Sequence, residues 1–152
     1  MMNDNFISIK TRSGYFNFLD DPEAPEHLFS PSSSEEEIGR ALLDALSRSR
    51  IVIPKENREF FSFERAGVRY EKWVKEIMER YGYKKRRVMF ENMKLCWIRV
   101  ENDEIHIQPT NHVKLEGWEG KSKDMPETIV IKAASSAFEV GVALKEAFSR
   151  CE

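Results

Sequence analysis

The chain has 152 residues, 41% of them hydrophobic, which suffices for one complete core and leads us to expect a single domain over residues 1–152. A third of the residues are charged, yet 24 Lys and Arg against 26 Asp and Glu leave a formal net charge of −2, which argues against a surface built to hold a polyanion. No apolar run approaches the length of a bilayer and the opening residues turn acidic at once, so the chain is expected in the cytoplasm, with Cys96 and Cys151 as free thiols.

The charge is unevenly spread. Asp4, Asp20, Asp21, Glu23, Glu26, Glu35, Glu36 and Glu37 face only Lys10 and Arg12 in residues 1–37, leaving the remainder mildly basic. Such asymmetry marks either an acidic face for a basic partner or a set of solvated loop and first-turn charges.

In chain order, Phe6 to Arg12 alternates apolar with polar residues and Tyr15 to Leu19 is again β-prone, so the two predict a hairpin turning at Ser13-Gly14. Asp20 to Glu26, with two prolines and four acids, opens an acidic loop over about residues 20–34. Ser32 to Ser34 before Glu35, Glu36 and Glu37 is a helix start, because a hydroxyl caps free N–H groups and acids meet the positive end of the dipole. Ile38, Ala41, Leu42, Ala45 and Leu46 form the apolar stripe of that helix, and Ile51 to Ile53 before Pro54 reads as a short buried strand.

Tyr70, Trp73, Val74, Ile77, Met78 and Tyr81 recur at helical spacing up to a stop at Gly82. Lys84 to Arg87 begins a shorter helical run whose four cations read as a solvated face. Lys94 to Val100 and Glu104 to Pro109 flank Asn102-Asp103, residues that tolerate the left-handed backbone of a tight hairpin. Thr128 to Lys132 is a further strand, and Ser135 to Arg150 a final helix.

Two helical segments echo each other. Ser33-Ser34-x-x-Glu37-Ile38-Gly39-x-Ala41-Leu42-x-x-Ala45-Leu46-Ser47-Arg48 returns as Ser135-Ser136-x-x-Glu139-Val140-Gly141-x-Ala143-Leu144-x-x-Ala147-Phe148-Ser149-Arg150. Each carries a capping-box pair and then a Gly/Ala ridge, which predicts close approach of helix to sheet. The fold class expected is therefore α/β (α+β): a central, mostly antiparallel or mixed sheet flanked by about four helices.

Catalytic chemistry is thinly represented. No Gly-rich phosphate loop, HExxH or CxxC pattern occurs, so neither cofactor nor metal is expected. His106 and His112, near Lys114 and Glu116, are the only constellation that could serve a small nuclease-like enzyme.

The segments Trp73 to Met93, Ile105 to Trp118 and Glu139 to Cys151 resemble, in order and spacing, the immunity proteins of contact-dependent growth inhibition (CDI) systems. The resemblance implies a sheet flanked by helices and a non-enzymatic inhibitor of the C-terminal toxin domain, often a nuclease, of a neighbour's exported filamentous protein. It implies one protein partner, no direct binding of nucleic acid or membrane, and a monomer before the toxin is met. Some relatives bind by letting the toxin add strands to their sheet. His112-x-Lys114-Leu115-Glu116-x-Trp118 looks like a family signature, read here as a structural turn that packs Leu115 and Trp118. Within this reading the acidic segment supplies the toxin-binding candidates Asp20, Asp21, Glu23, Glu26, Glu35 and Glu36, of which the loop acids are the better, since the acids at 35–37 also serve the helix start.

Overall fold

The structure, a computed structural model, describes residues 1–120 and 127–152. Its elements run β1 (Ile7–Ile9), β2 (Arg12–Gly14), β3 (Phe18–Asp20), β4 (His27–Phe29), α1 (Glu35–Ser47), α2 (Phe63–Tyr81), α3 (Arg86–Phe90), β5 (Cys96–Glu101), β6 (Glu104–Pro109), β7 (Asn111–Lys114), β8 (Gly117–Glu119), β9 (Ile129–Lys132) and α4 (Ala137–Ser149). Four helices and antiparallel pairing are as expected, but the described strands divide among four small sheets: β1-β4, β2-β3, β5-β6-β9 and β7-β8.

The three-stranded sheet supplies the central surface. Asn102 and Asp103 both hold positive φ (51° and 60°), which closes β5 onto β6 in the tight turn the sequence predicts. Ile105 and Ile107 of β6 are wholly buried, flanked in register by Val100 and Ile98 of β5 and by Ile131 and Ile129 of β9. On the opposite face Trp97, Arg99, His106 and Val130 alternate with them, as period-two pleating demands.

Helix α4 lies on the apolar face, and α1 packs against α4 and β1. Ser34 and Ser136 each accept from the N–H three residues on, while Glu37 and Glu139 reach back to the capping residue, so both predicted capping boxes form. Gly39 and Gly141 do not, however, serve a helix-to-sheet contact. A Cβ on Gly39 would overlap the carbonyl oxygen of Ala137 and lie 2.8 Å from the Gly141 nitrogen; one on Gly141 would overlap the carbonyl of Glu35. The two helices are close because they lie on each other.

Buried apolar side chains form two clusters that meet along one strand. Ile7 and Ile9 join Ile38, Leu42, Ile107, Leu144 and Phe148, whereas the adjacent Phe6 joins Trp73, Val74, Ile77, Met89 and Phe90 beneath α2 and α3. Gly82 ends α2 in the left-handed conformation, φ 72°, as a residue without Cβ can do without strain.

Two local expectations fail. Ser13-Gly14 is not the N-terminal turn: it lies in β2, whose partner is β3, while β1 pairs with β4. A Cβ at Gly14 would collide with the Asn17 carbonyl, so the glycine is needed for the Tyr15–Asn17 turn to fold back on the strand. Nor is Ile51 to Ile53 a buried strand. It makes a single parallel bridge, Ile51 to Gly14, which points only Val52 inward and leaves Ile51 and Ile53 exposed.

Candidate functional site

The acidic loop Asp20 to Glu26 connects β3 to β4 and forms one wall of a surface cleft of about 290 Å³. Lys10 lines it from the β1–β2 connection, Arg12 and Leu19 from β2 and β3, and Ala66, Arg69 and Tyr70 from α2.

The loop's acids divide sharply in role. Asp21 is inside: its side chain is 1% exposed and is gripped by Arg50 Nε and Nη2 at 2.7 and 3.1 Å, while its Oδ1 accepts from the Glu23 N–H. The Arg50 hydrogen bond outweighs burial and holds this carboxyl down at about 2. Glu26 is likewise structural, accepting from Ser8 Oγ at 2.5 Å and from Trp73 Nε1 at 2.8 Å, with Lys10 Nζ resting 4.0 Å from the centroid of the same indole. Asp20 and Glu23 face solvent, Asp20 beside Lys10 and Arg12 and Glu23 beside Arg50.

At the start of α1, Glu35 pairs with Lys145 Nζ at 2.9 Å, whose hydrogen bond draws the carboxyl below its usual range, and Glu36 pairs with Arg40 one turn on. Of the six candidates, Asp20, Glu23 and Glu36 thus present carboxylates to solvent, Glu35 does so in part, and Asp21 and Glu26 are poor candidates because their oxygens are committed inside the fold. Nor does the acid excess of residues 1–37 become a bare negative field, since folding brings Arg50 and Lys145 to it from later in the chain.

An apolar patch adjoins the cleft that the periodicity does not reveal. Tyr15 and Phe16, in edge-to-face contact at 4.4 Å, crown the β2–β3 turn, and Phe16 is 84% exposed. Phe18 and Ile51 both stand opposite Gly14, from strand and bridge respectively, and both are exposed, as is Ile53. In sequence Tyr15 to Leu19 reads as a β-prone run and Ile51 to Ile53 as a buried strand, so nothing there signals that these side chains stand exposed. A contiguous exposed group of this kind, with charges at its edge, has the composition of a protein-binding surface.

The two histidines do not converge on a reaction centre. His106 lies in β6 near Glu104, while His112 lies in β7, where its ring stacks on Trp118 at 5.0 Å and its Nε2 bonds the Leu115 carbonyl. The turn at Leu115 is structural as expected, though only Trp118 packs, its Nε1 donating to the Met93 carbonyl, and Leu115 stays exposed. Glu116 of that turn binds Arg86 through both oxygens, and Arg86 also grips Glu71. One of the four cations expected on a solvated face is therefore a structural clamp. Among the described residues, no cluster of three metal-ligating side chains occurs and no helix is long and apolar enough to cross a membrane.

The model of the CdiI family, CDI immunity protein, matches residues 1–151. Immunity protein CdiI-YPIII of Yersinia pseudotuberculosis serotype O:3 (strain YPIII) is 37% identical over 163 aligned positions, covering 99% of this chain and 92% of that protein. A chain of the CdiA-CT/CdiI toxin and immunity complex from Y. pseudotuberculosis superposes with a TM-score of 0.90 at 36% identity, over 99% of this chain and 94% of the other. A Neisseria meningitidis protein of unknown function superposes with a TM-score of 0.91 at 34% identity, over 99% and 92%.

Proposed function

We propose, from the premise that the chain belongs to the CDI immunity protein family, that it binds and neutralises the toxic C-terminal domain of a CdiA protein, CdiA-CT, by covering the toxin's active site. The observation that carries this reading is the near full-length likeness to a toxin and immunity complex. It is an inhibitor rather than an enzyme. The toxin is a nuclease in this reading, and inhibition takes place in the cytoplasm, where an incoming nuclease meets its substrate.

The face we assign to the toxin is the cleft beside the acidic loop together with the Tyr15–Phe18 turn. Aromatic side chains that protrude on a stiff hairpin lose little entropy on burial and carry much of the energy of protein interfaces. Asp20 and Glu23 at the rim, with Glu36 further out, would meet the cations with which a nuclease holds phosphate, raising the association rate and making it sensitive to salt.

The test is direct. The purified chain, mixed with the toxin domain encoded beside its own gene, is expected to co-elute as one complex and to abolish toxin activity on DNA or RNA at about one equivalent. Full toxin activity in the presence of excess immunity protein would reject the reading.

A further inference from the structure

The two cysteines, 55 positions apart in sequence, meet in the structure with their sulfurs 3.6 Å apart. Cys96 opens β5 and is partly exposed; Cys151 is buried just beyond the end of α4, within 3.3 Å of the Leu95 carbonyl. No other cysteine occurs in the chain. Lys94, beside them, anchors its ammonium on the Phe148 carbonyl at 3.0 Å, so the segments on both sides of the thiol pair are already tied together.

We propose that Cys96 and Cys151 form a reversible oxidation site, in which a hydroperoxide converts the thiol pair into an intramolecular disulfide that ties the start of β5 to the C-terminal end of the chain. Placing the sulfurs at bonding distance requires an approach of roughly 1.6 Å from the observed contact.

The chemistry balances with the hydroperoxide as sole oxidant. Cys151, drawn toward the thiolate, attacks the O–O bond; that bond breaks, the sulfur becomes a sulfenic acid and the remaining oxygen leaves as an alcohol, or as water if the oxidant is hydrogen peroxide. Cys96 then attacks the Cys151 sulfur, the S–S bond forms, and the sulfenic oxygen departs as water with the proton that Cys96 gives up. Two thiols have lost two electrons and the peroxide has gained them. The hydrogen bond from Cys96 and the nearby Lys94 ammonium draw the Cys151 thiol below its ordinary range, which suits it to the first step, while that same hydrogen bond and burial hold the Cys96 thiol up and leave it to resolve.

The experiment uses the folded full-length chain treated with hydrogen peroxide, then denatured, alkylated and weighed. The expected result is a monomer lighter by two hydrogens, with no alkylatable thiol, a linked pair of Cys96 and Cys151 peptides, and full reversal by dithiothreitol. Closing so long a loop is also expected to raise Tm by on the order of 5 to 10 °C. Both Cys96→Ser and Cys151→Ser are expected to abolish the mass loss and the Tm rise. Two thiols still alkylatable, a sulfinic acid accumulating at Cys151, or links found only between chains would each overturn the proposal. The wild-type measurements decide it even if a serine variant folds poorly.

Discussion

Gly39 and Gly141 occupy equivalent positions in α1 and α4, and each receives the first residue of the other helix: Gly39 the carbonyl of Ala137, Gly141 that of Glu35. The repeated sequence thus builds one approximately two-fold helix crossing, in which neither backbone leaves room for a Cβ on its partner. Alanine gains about 1 kcal/mol over glycine in an isolated helix, so Gly39→Ala and Gly141→Ala would stabilise the chain if propensity decided the outcome. Overlap with a backbone carbonyl decides it instead. Each variant is expected to lose on the order of 1 to 3 kcal/mol, with leucine worse, seen as a lower urea midpoint at constant m-value. An unchanged or raised midpoint for the alanine variants would refute the crossing.

Asp21 makes a second prediction, because its carboxyl sits at about 2 against an ordinary 3.8. A carboxylate whose folded pKa is depressed contributes stability that is complete above the unfolded value and is lost as pH falls through the folded one. The window here therefore runs from about pH 5 down to pH 2, and the contribution is about 2 kcal/mol. Asp21→Asn should cost most near neutral pH, and its stability curve should close on that of the wild type towards pH 2. Denaturant midpoints across that range give the answer; a difference independent of pH would mean that Arg50 contributes through packing rather than charge.

Arg86 and Arg87 are neighbours with opposite fates. Arg86 reaches Glu116 at 2.6 Å through Nε and Nη2 and Glu71 at 2.7 and 3.0 Å through Nη1 and Nη2, and lies near the faces of Tyr70 and Phe90. Arg87 is exposed and meets Glu91 at 3.6 Å. Arg86→Ala should therefore destabilise by about 2 to 3 kcal/mol, and Arg86→Lys by about 1 to 2, since an ammonium keeps the charge but not the two forks. Arg87→Ala should stay within about 0.5 kcal/mol of wild type. Thermal unfolding of the three variants separates them, and equal losses at 86 and 87 would contradict the clamp.

What the sequence disclosed follows from the range of the forces involved. Both capping boxes, the Gly82 stop and the Asn102-Asp103 hairpin were legible because each depends on residues a few positions apart. The partners of β1 and β2 were not, since choosing β4 over β2 for Ile7 to Ile9 is decided by burial against α1, far along the chain. The repeat announced a close approach but not its partner: a small-residue ridge fits a helix as well as a sheet. At the candidate site the acids were visible, yet Asp21 and Glu26 look no different in sequence from Asp20 and Glu23. Their separation required Arg50 and Trp73, which arrive from beyond α1. Phe16 lies inside the β-prone run Tyr15 to Leu19, and nothing local in that run shows that the chain turns over Tyr15–Asn17 and lifts the ring into solvent.

That separation supplies the last prediction, which distinguishes folding from docking within one loop. Asp20 and Glu23 are exposed and bridged only by surface ion pairs, contacts that typically contribute little to stability. Asp20→Asn with Glu23→Gln should leave the urea midpoint nearly unchanged, yet slow association with the cognate CdiA-CT domain and flatten its dependence on salt. Phe16→Ala should likewise spare stability, because the residue is already 84% exposed, but should speed dissociation by about tenfold or more if the ring is an anchor, the equivalent of about 1.4 kcal/mol. Asp21→Asn and Glu26→Gln should show the reverse pattern, lowering stability first and affecting affinity only through the fold. Stopped-flow association at low and high salt, dissociation followed by competition, and urea titration of each free variant make the comparison complete. If the Asp20, Glu23 and Phe16 variants bind with wild-type rates and salt slope while remaining folded, the cleft and its aromatic turn are not the docking face. The edges of the β5-β6-β9 sheet, where β5 and β9 pair with no further strand among the described residues, would then be the surface to mutate next.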